Sequence, residues 1–256
     1  MRNQASGTFF AAAKPRVFAH RGFAVDAPEN TFGSFAAAIA LGVTHIETDV
    51  HASKDGVAVI SHDSVLDRVA SRSGNIADFS FAQLQRMDLG GGNGFVSLAE
   101  TLDAFPSMFF NIDVKSADAA VPAAHAILDS NAVDRVLVSS FSEARRRAAL
   151  RLLPGVATSA SGSVFATALL AAASGFTPLL RRTLSTIDAV QIPERALGLS
   201  TTTPTMINRF HDAGVEVHVW TINDGDDMTR LLDAGVDGIV TDRADLALEI
   251  IGKRQP

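Results

Sequence analysis

The 256-residue sequence predicts an α/β chain closed into a single (β/α)8, TIM-type barrel, and three observations carry the prediction. Short runs rich in Val, Ile and Phe alternate eight times with Ala- and Leu-rich helical runs, and no Pro-, Ser- or charge-rich linker divides them. Three helical runs end in the same kind of joint, Leu41-Gly42-Val43, Ala213-Gly214-Val215 and Ala234-Gly235-Val236. Each is a helix stop that leads at once into a strand, as repeated βα units require. The first strand ends in His20-Arg21-Gly22, without the G-x-G-x-x-G loop by which an open doubly wound sheet usually announces itself.

Taken in order, strands are expected at 16–19, 44–50, 107–114, 135–140, 155–160, 185–190, 215–220 and 238–241. Helices are expected at 30–41, 98–104, 117–130, 143–153, 164–173, 205–213, 226–234 and 246–251. The stretch 62–96 is too long for an ordinary βα loop. It holds Leu66-Asp67-Arg68, the run NIADFSFAQL and Gly90-Gly91-Gly92. Insertions after barrel strands fall on the C-terminal face, so it reads as a small cap beside the pocket of one domain spanning 1–256.

Composition narrows the function. With 47% hydrophobic and 20% charged residues, the chain can bury a large core, which argues against disorder. The net charge of −6 is opposite to that of a non-specific nucleic-acid or anionic-membrane binder. An anionic substrate must therefore be drawn by a local cluster or a metal. The absence of cysteine excludes thiolate nucleophiles, disulfides and Cys-based zinc sites. The N-terminal apolar run, 9–13, is too short for a secretory signal, and no stretch approaches the ~20 apolar residues of a membrane span. The expectation is a cytoplasmic protein with a ragged N-terminal extension and no stable membrane insertion.

Chemistry concentrates at the ends of expected strands. Alternate strand residues share a face, so Glu47 and Asp49 project together while Ile46, Thr48 and Val50 face the other way. Two carboxylates at a barrel mouth repel each other unless a cation intervenes, and hard divalent ions take such oxygens. The alternative is one carboxylate paired with Arg or Lys and the other in water. Asn111, Asp113 and Lys115 share a face in the same way, which makes Asp113 a candidate third ligand. Lys115 can neutralise a phosphate or pair with Asp113. His20 ends the first strand and His62 follows the apolar run 57–60. Imidazoles suit proton transfer near neutral pH, and Arg21 offers a planar fork for phosphate oxygens. His45, His125, His211 and His218 are read as structural or surface residues, and His51 as a bystander in the pocket.

These segments, in this order, resemble the glycerophosphodiester phosphodiesterase family. The resemblance rests on His20-Arg21-Gly22, Pro28-Glu29-Asn30-Thr31, Glu47-Thr48-Asp49-Val50, Asp55-Gly56, His62-Asp63, Leu66-Asp67-Arg68 and Asn111-Ile112-Asp113-Val114-Lys115. Ser140-Phe141, Val219-Trp220-Thr221 with Asn223, and the run from Asp237 to Arg243 extend it, so it covers about His20 to Asp245. The resemblance implies a metal-dependent hydrolase that splits glycerophosphodiesters into glycerol 3-phosphate and an alcohol. It implies His20 and His62 as the acid/base pair and Glu47, Asp49 and Asp113 as ligands of one Mg²⁺ or Ca²⁺. Arg21 and Lys115 fall at phosphate-binding positions and Trp220 beside the substrate. Asp113 stands where the family commonly has glutamate, which sets its carboxylate back by ~1–1.5 Å. A lysophospholipase D-type lipid phosphodiesterase is the alternative enzyme, with 79–81 and 89–95 as a candidate apolar entrance or, alternatively, as core of the cap. A barrel that binds a phosphorylated ligand without turnover is the non-catalytic alternative.

Overall fold

The computed structural model describes residues 8–254; residues 1–7 and 255–256, part of the expected single domain, lie outside them. In chain order the strands are β1 (Arg16–His20), β2 (His45–Ala52), β3 (Ala58–Ile60), β4 (Phe109–Val114), β5 (Val136–Ser139), β6 (Ala157–Thr158), β7 (Ala189–Ile192), β8 (Arg195–Ala196), β9 (Leu199–Ser200), β10 (Glu216–Val219) and β11 (Gly238–Thr241). The helices are α1 (Phe32–Ala40), α2 (Asp67–Ala70), α3 (Phe81–Leu84), α4 (Leu98–Ala104), α5 (Ala120–Asp129), α6 (Glu143–Leu150), α7 (Gly162–Ala173), α8 (Thr177–Thr183), α9 (Pro204–Asp212), α10 (Gly225–Ala234) and α11 (Ala244–Gly252).

Eight of the strands run parallel in the order β6-β5-β4-β2-β1-β11-β10-β7. A parallel bridge between Ser159 and Ala189 brings the two ends together, so the barrel is nearly closed. All eight expected strands are present. β3 folds back antiparallel on the end of β2, pairing Val50 with Ile60, and β8 and β9 form a short hairpin.

Two elements sit differently from expectation. The sixth strand begins at Ala189, not at 185, because the unanticipated helix α8 runs to Thr183 and the chain turns before it can pair. A seven-residue helix opened by Thr177-Pro178 is too short to show a helical period in the sequence. The fifth strand shrinks to Ala157–Thr158.

Local chemistry explains the joints. Thr31 caps α1 and Ser97 caps α4, each in a reciprocal capping box. Asp224 accepts from two backbone N–H groups at the start of α10, and Gly235 ends that helix at φ 95°, a conformation glycine adopts without a Cβ penalty.

Strand parity divides the interior. Ile46, Phe110, Ile112 and Val138 face outward and pack beneath the helices with Phe35, Leu98 and Ile127. Val190, Val217 and Ile239 do the same on the other side with Leu169, Ile207, Phe210 and Leu231. The lumen holds Phe18, Leu137, Ala157, Ala189 and Val240, closed from below by Phe9. Phe9 is fully buried and its ring meets those of Phe18, His45 and Phe109. The expected ragged N-terminal extension is therefore corrected for this part of it. The backbone carbonyls of Phe10 and Ala12 are likewise held by the buried Arg16 guanidinium.

Burial lowers the His45 imidazole to about 4; its bond to the Phe9 carbonyl opposes this, while Arg16 and His218 add to it. The unfolded chain, with an ordinary imidazole near 6.5, then binds a proton that the folded chain does not. Stability accordingly falls as pH drops through the window from about 6.5 to about 4, and this contribution levels off below it. Urea unfolding at pH 7 and pH 4 should show His45 accounting for about 3 kcal/mol of the loss, order-of-magnitude. His45→Gln should make that acid limb shallower; an unchanged slope would refute the assignment.

Candidate active site

The C-terminal ends of β1, β2 and β4 carry the charged wall of a cavity of about 480 Å³. Register explains the convergence: His20 lies beside Glu47, Glu47 beside Asn111, and Asp49 beside Asp113. All eight expected site residues, His20, Arg21, Glu47, Asp49, His62, Asp113, Lys115 and Trp220, line this one cavity. Moving two residues up β2 changes the lumen from the buried His45 layer to Glu47 and then Asp49.

Arg21 reaches the cavity from a backbone with φ 56°, in the left-handed region that a non-glycine residue rarely occupies. Its N–H donates to the Glu47 carbonyl, and its own carbonyl accepts from Asn30 N–H and Ser34 Oγ. These bonds hold the unusual turn in place.

Each histidine is gripped by an aspartate. His20 Nδ1 lies 2.7 Å from Asp242 Oδ1, and His62 Nδ1 lies 2.8 Å from Asp63 Oδ1. Such a bond fixes ring orientation and tautomer and leaves Nε2 for proton transfer. His20 Nε2 is 3.9 Å from Glu47 Oε2. Burial pulls the His20 imidazole down, but the Asp242 hydrogen bond and the Glu47 charge outweigh burial and leave it above its ordinary value. Behind Asp242 stands Asn223, donating at 2.7 Å and accepting from Asp242 N–H. His51 is not a bystander in the pocket: its Nε2 sits 3.1 Å from the His62 carbonyl and supports that turn. His45 and His218 are buried and hydrogen-bonded, and His211 pairs with Asp237, all structural as expected.

The carboxylates divide by partner. Lys115 Nζ lies 2.8 Å from Asp49 Oδ1 and 2.7 Å from Asp113 Oδ2, so it spans both. Asp49 Oδ2 also receives Asn30 Nδ2 at 3.3 Å and faces Arg21 Nε at 3.4 Å. Burial would raise Asp49, yet Lys115 outweighs it and holds the carboxyl below its ordinary value. Glu47 has no cation bonded to it: burial, with the Asp49 charge added, outweighs the more distant His20 and Lys115 and pushes its carboxyl up to about 8. Burial raises Asp113 as well, more than Lys115 lowers it.

Three buried oxygens at this wall have no hydrogen-bond partner: Glu47 Oε2, Asn111 Oδ1 and Asp113 Oδ1. Buried polar atoms are rarely left so, and hard oxygens are the donors that Mg²⁺ and Ca²⁺ take. These oxygens are of the kind such an ion takes, but among the described residues no group of three or more His, Asp or Glu side chains is arranged to hold a metal, and Lys115 lies between Asp49 and Asp113.

The far wall of the cavity is apolar. Phe141, Phe165, Leu197, Ala160, Pro193 and Trp220 line it, with Phe141 and Trp220 in an edge-to-face contact at 5.9 Å. Phe141 and Leu197 remain more than 60% exposed at the rim, at 62% and 64%. The segments 79–81 and 89–95 do not supply this entrance. Phe79, Phe81 and Leu89 pack with the buried Leu66, Ile76, Leu84 and Phe95 as the core of the cap.

Sequence reasoning missed the supporting shell, namely Asp63, Asp242, Asn223, Glu29 and Arg68. All five stand inside the motifs named above, but the contacts of Asp242 with His20 and of Arg68 with Glu29 span 222 and 39 residues, and spacing does not reveal them.

Comparison with known proteins points to one family. A model of the "Glycerophosphoryl diester phosphodiesterase family" matches residues 20–246. The probable glycerophosphodiester phosphodiesterase 2 of Mycobacterium tuberculosis is 43% identical over 235 residues, covering 91% of this chain and 89% of that protein. A glycerophosphodiester phosphodiesterase of Caldanaerobacter subterraneus is 29% identical over 94% of this chain and 99% of its own length. The fold matches a putative glycerophosphoryl diester phosphodiesterase from Silicibacter pomeroyi with TM-score 0.79, at 23% identity over 98% of this chain and 97% of the other. It also matches an Oleispira antarctica phosphodiesterase solved with the product sn-glycerol-3-phosphate, with TM-score 0.78 and 24% identity over 93% and 97% of the two chains.

Proposed function

Because the chain belongs to the glycerophosphoryl diester phosphodiesterase family, we propose that it hydrolyses glycerophosphodiesters to glycerol 3-phosphate and an alcohol with His20 and His62 as the proton-transfer pair. The observation that carries this reading is that two imidazoles, each held at Nδ1 by its own aspartate, line one cavity beside a carboxylate cluster. One imidazole takes the proton of the attacking oxygen and the other gives a proton to the departing alkoxide. Arg21 and Lys115 orient the phosphate by donating to its non-bridging oxygens. Asp242 and Asp63 keep each ring in the tautomer that presents Nε2.

Glu47, Asp49 and Asp113 would hold one Mg²⁺ or Ca²⁺, with Asn111 as an additional oxygen donor. Such an ion, when bound, withdraws charge from a phosphate oxygen and acidifies a nearby hydroxyl. The short Asp113 side chain favours the ion that tolerates irregular coordination, Ca²⁺ over Mg²⁺. Hydrolysis of a glycerophosphodiester panel with Mg²⁺, Ca²⁺ or chelator tests both parts. Glycerol 3-phosphate should appear with metal and vanish with chelator. Turnover that survives chelation removes the metal, and no product from any diester removes the activity itself.

The apolar far wall favours a second reading, a lipid phosphodiesterase acting on a single-chain lysophospholipid. On this reading the alcohol arm of the diester lies along Phe141, Phe165, Leu197 and Trp220. If so, kcat/KM for lysophosphatidylcholine exceeds that for glycerophosphocholine, and Leu197→Asp lowers only the former. A greater kcat/KM for glycerophosphocholine eliminates it.

A further inference from the structure

We propose that Arg68, in the cap helix α2, is a positioning residue that holds Arg21 and His62 in one frame across the cavity mouth. The motif Leu66-Asp67-Arg68 has no part in the chemistry described so far. Its leucine is buried in the cap core, whereas its arginine side chain, 49% exposed, turns back to the barrel. Arg68 Nη2 donates to Glu29 Oε1 at 2.7 Å, and Glu29 Oε1 also accepts from Arg21 Nη1 at 3.0 Å. Arg68 Nε donates to Asp63 Oδ2 at 2.5 Å, and Asp63 Oδ1 holds His62 Nδ1. One planar guanidinium thus joins two carboxylates whose other contacts are both on cavity residues.

The bland alternative is a surface ion cluster that adds a little stability. Ion pairs this exposed contribute little, so stability alone gives no reason for this connectivity. A second observation points to positioning. A cavity of about 270 Å³, lined by Glu29, Asn30, Ser61, Arg68, Val69 and Phe95 among others, lies on the cap side of His62, which lines both cavities. Lining both cavities, the His62 side chain is 35% exposed, so close packing leaves its ring underdetermined. Its orientation depends on Asp63, and that of Asp63 on Arg68. Lysine could not replace the arginine, because an ammonium lacks the fixed fork that meets two carboxylates in one plane.

The inference rests on His62 and Arg21 acting as proposed above. Its test is steady-state kinetics of Arg68→Gln, Arg68→Lys, Glu29→Gln and Asp63→Asn with glycerophosphocholine, beside thermal unfolding of each. Asp63→Asn should act chiefly on kcat, by ~10-fold or more, and Glu29→Gln chiefly on KM. Arg68→Gln should move both, Arg68→Lys should not restore them, and Arg68→Gln added to Asp63→Asn should lower kcat little further. Wild-type kcat and KM in Arg68→Gln would overturn the frame. So would a loss that only tracks a lower Tm at unchanged KM. A fully active His62→Ala would instead overturn the underlying reading, whatever Arg68 does.

Discussion

Replacing His20 or His62 with alanine is expected to lower kcat by ~10²-fold or more, with unfolding temperature close to that of the parent. Neither ring is part of the apolar core; each stands at the cavity with Nδ1 bonded to an aspartate. Loss of the imidazole therefore removes a proton donor or acceptor without opening a packing defect. The double variant should be little worse than either single one, because the two groups serve one proton circuit and their effects do not add. Measured kcat on a glycerophosphodiester, with circular dichroism as the control for folding, decides the matter. Full turnover in either single variant is incompatible with the assignment.

Phe9→Ala should produce the largest loss of stability, about 3–5 kcal/mol, the usual cost of deleting a buried phenyl ring. The ring seals the lower end of the lumen against Phe18, His45 and Phe109, so the space left behind cannot collapse without moving the barrel strands. In a chain of this size that corresponds to a Tm drop on the order of 10 °C. Phe176→Ala is the matched control, since that ring is 56% exposed and its removal should change stability by only about 0.5 kcal/mol or less. Equal effects from the two would mean that Phe9 does not seal the lumen.

The parts of the site that were legible in the sequence are those governed by the two-residue period of a strand. Glu47 with Asp49, and Asn111 with Asp113 and Lys115, could be placed on one face because parity is a local property. Pairing of Lys115 with Asp113 was one of its two expected roles, but its reach to Asp49 was not legible, since that depends on the register between β2 and β4. The partner of His20 lies 222 residues away, and only the meeting of β1 and β11 brings Asp242 beside it. The barrel itself could be read from eight repeats and three glycine joints. Phe9 could not, because a short apolar run among alanines gives no sign that a lumen waits for it.

The cap has a core of its own: Leu66, Ile76, Leu84 and Phe95 pack with one another, and only Val59 in that buried cluster comes from a strand of the barrel sheet. A unit with a core of its own can open locally while the eight-stranded frame stays intact. Amide hydrogens of α2 and α3 should therefore exchange with solvent well before those of β2 or β4. Because Arg68 belongs to this unit and bonds Asp63, the Nδ1 partner of His62, any such opening would release one end of the contact that orients that ring.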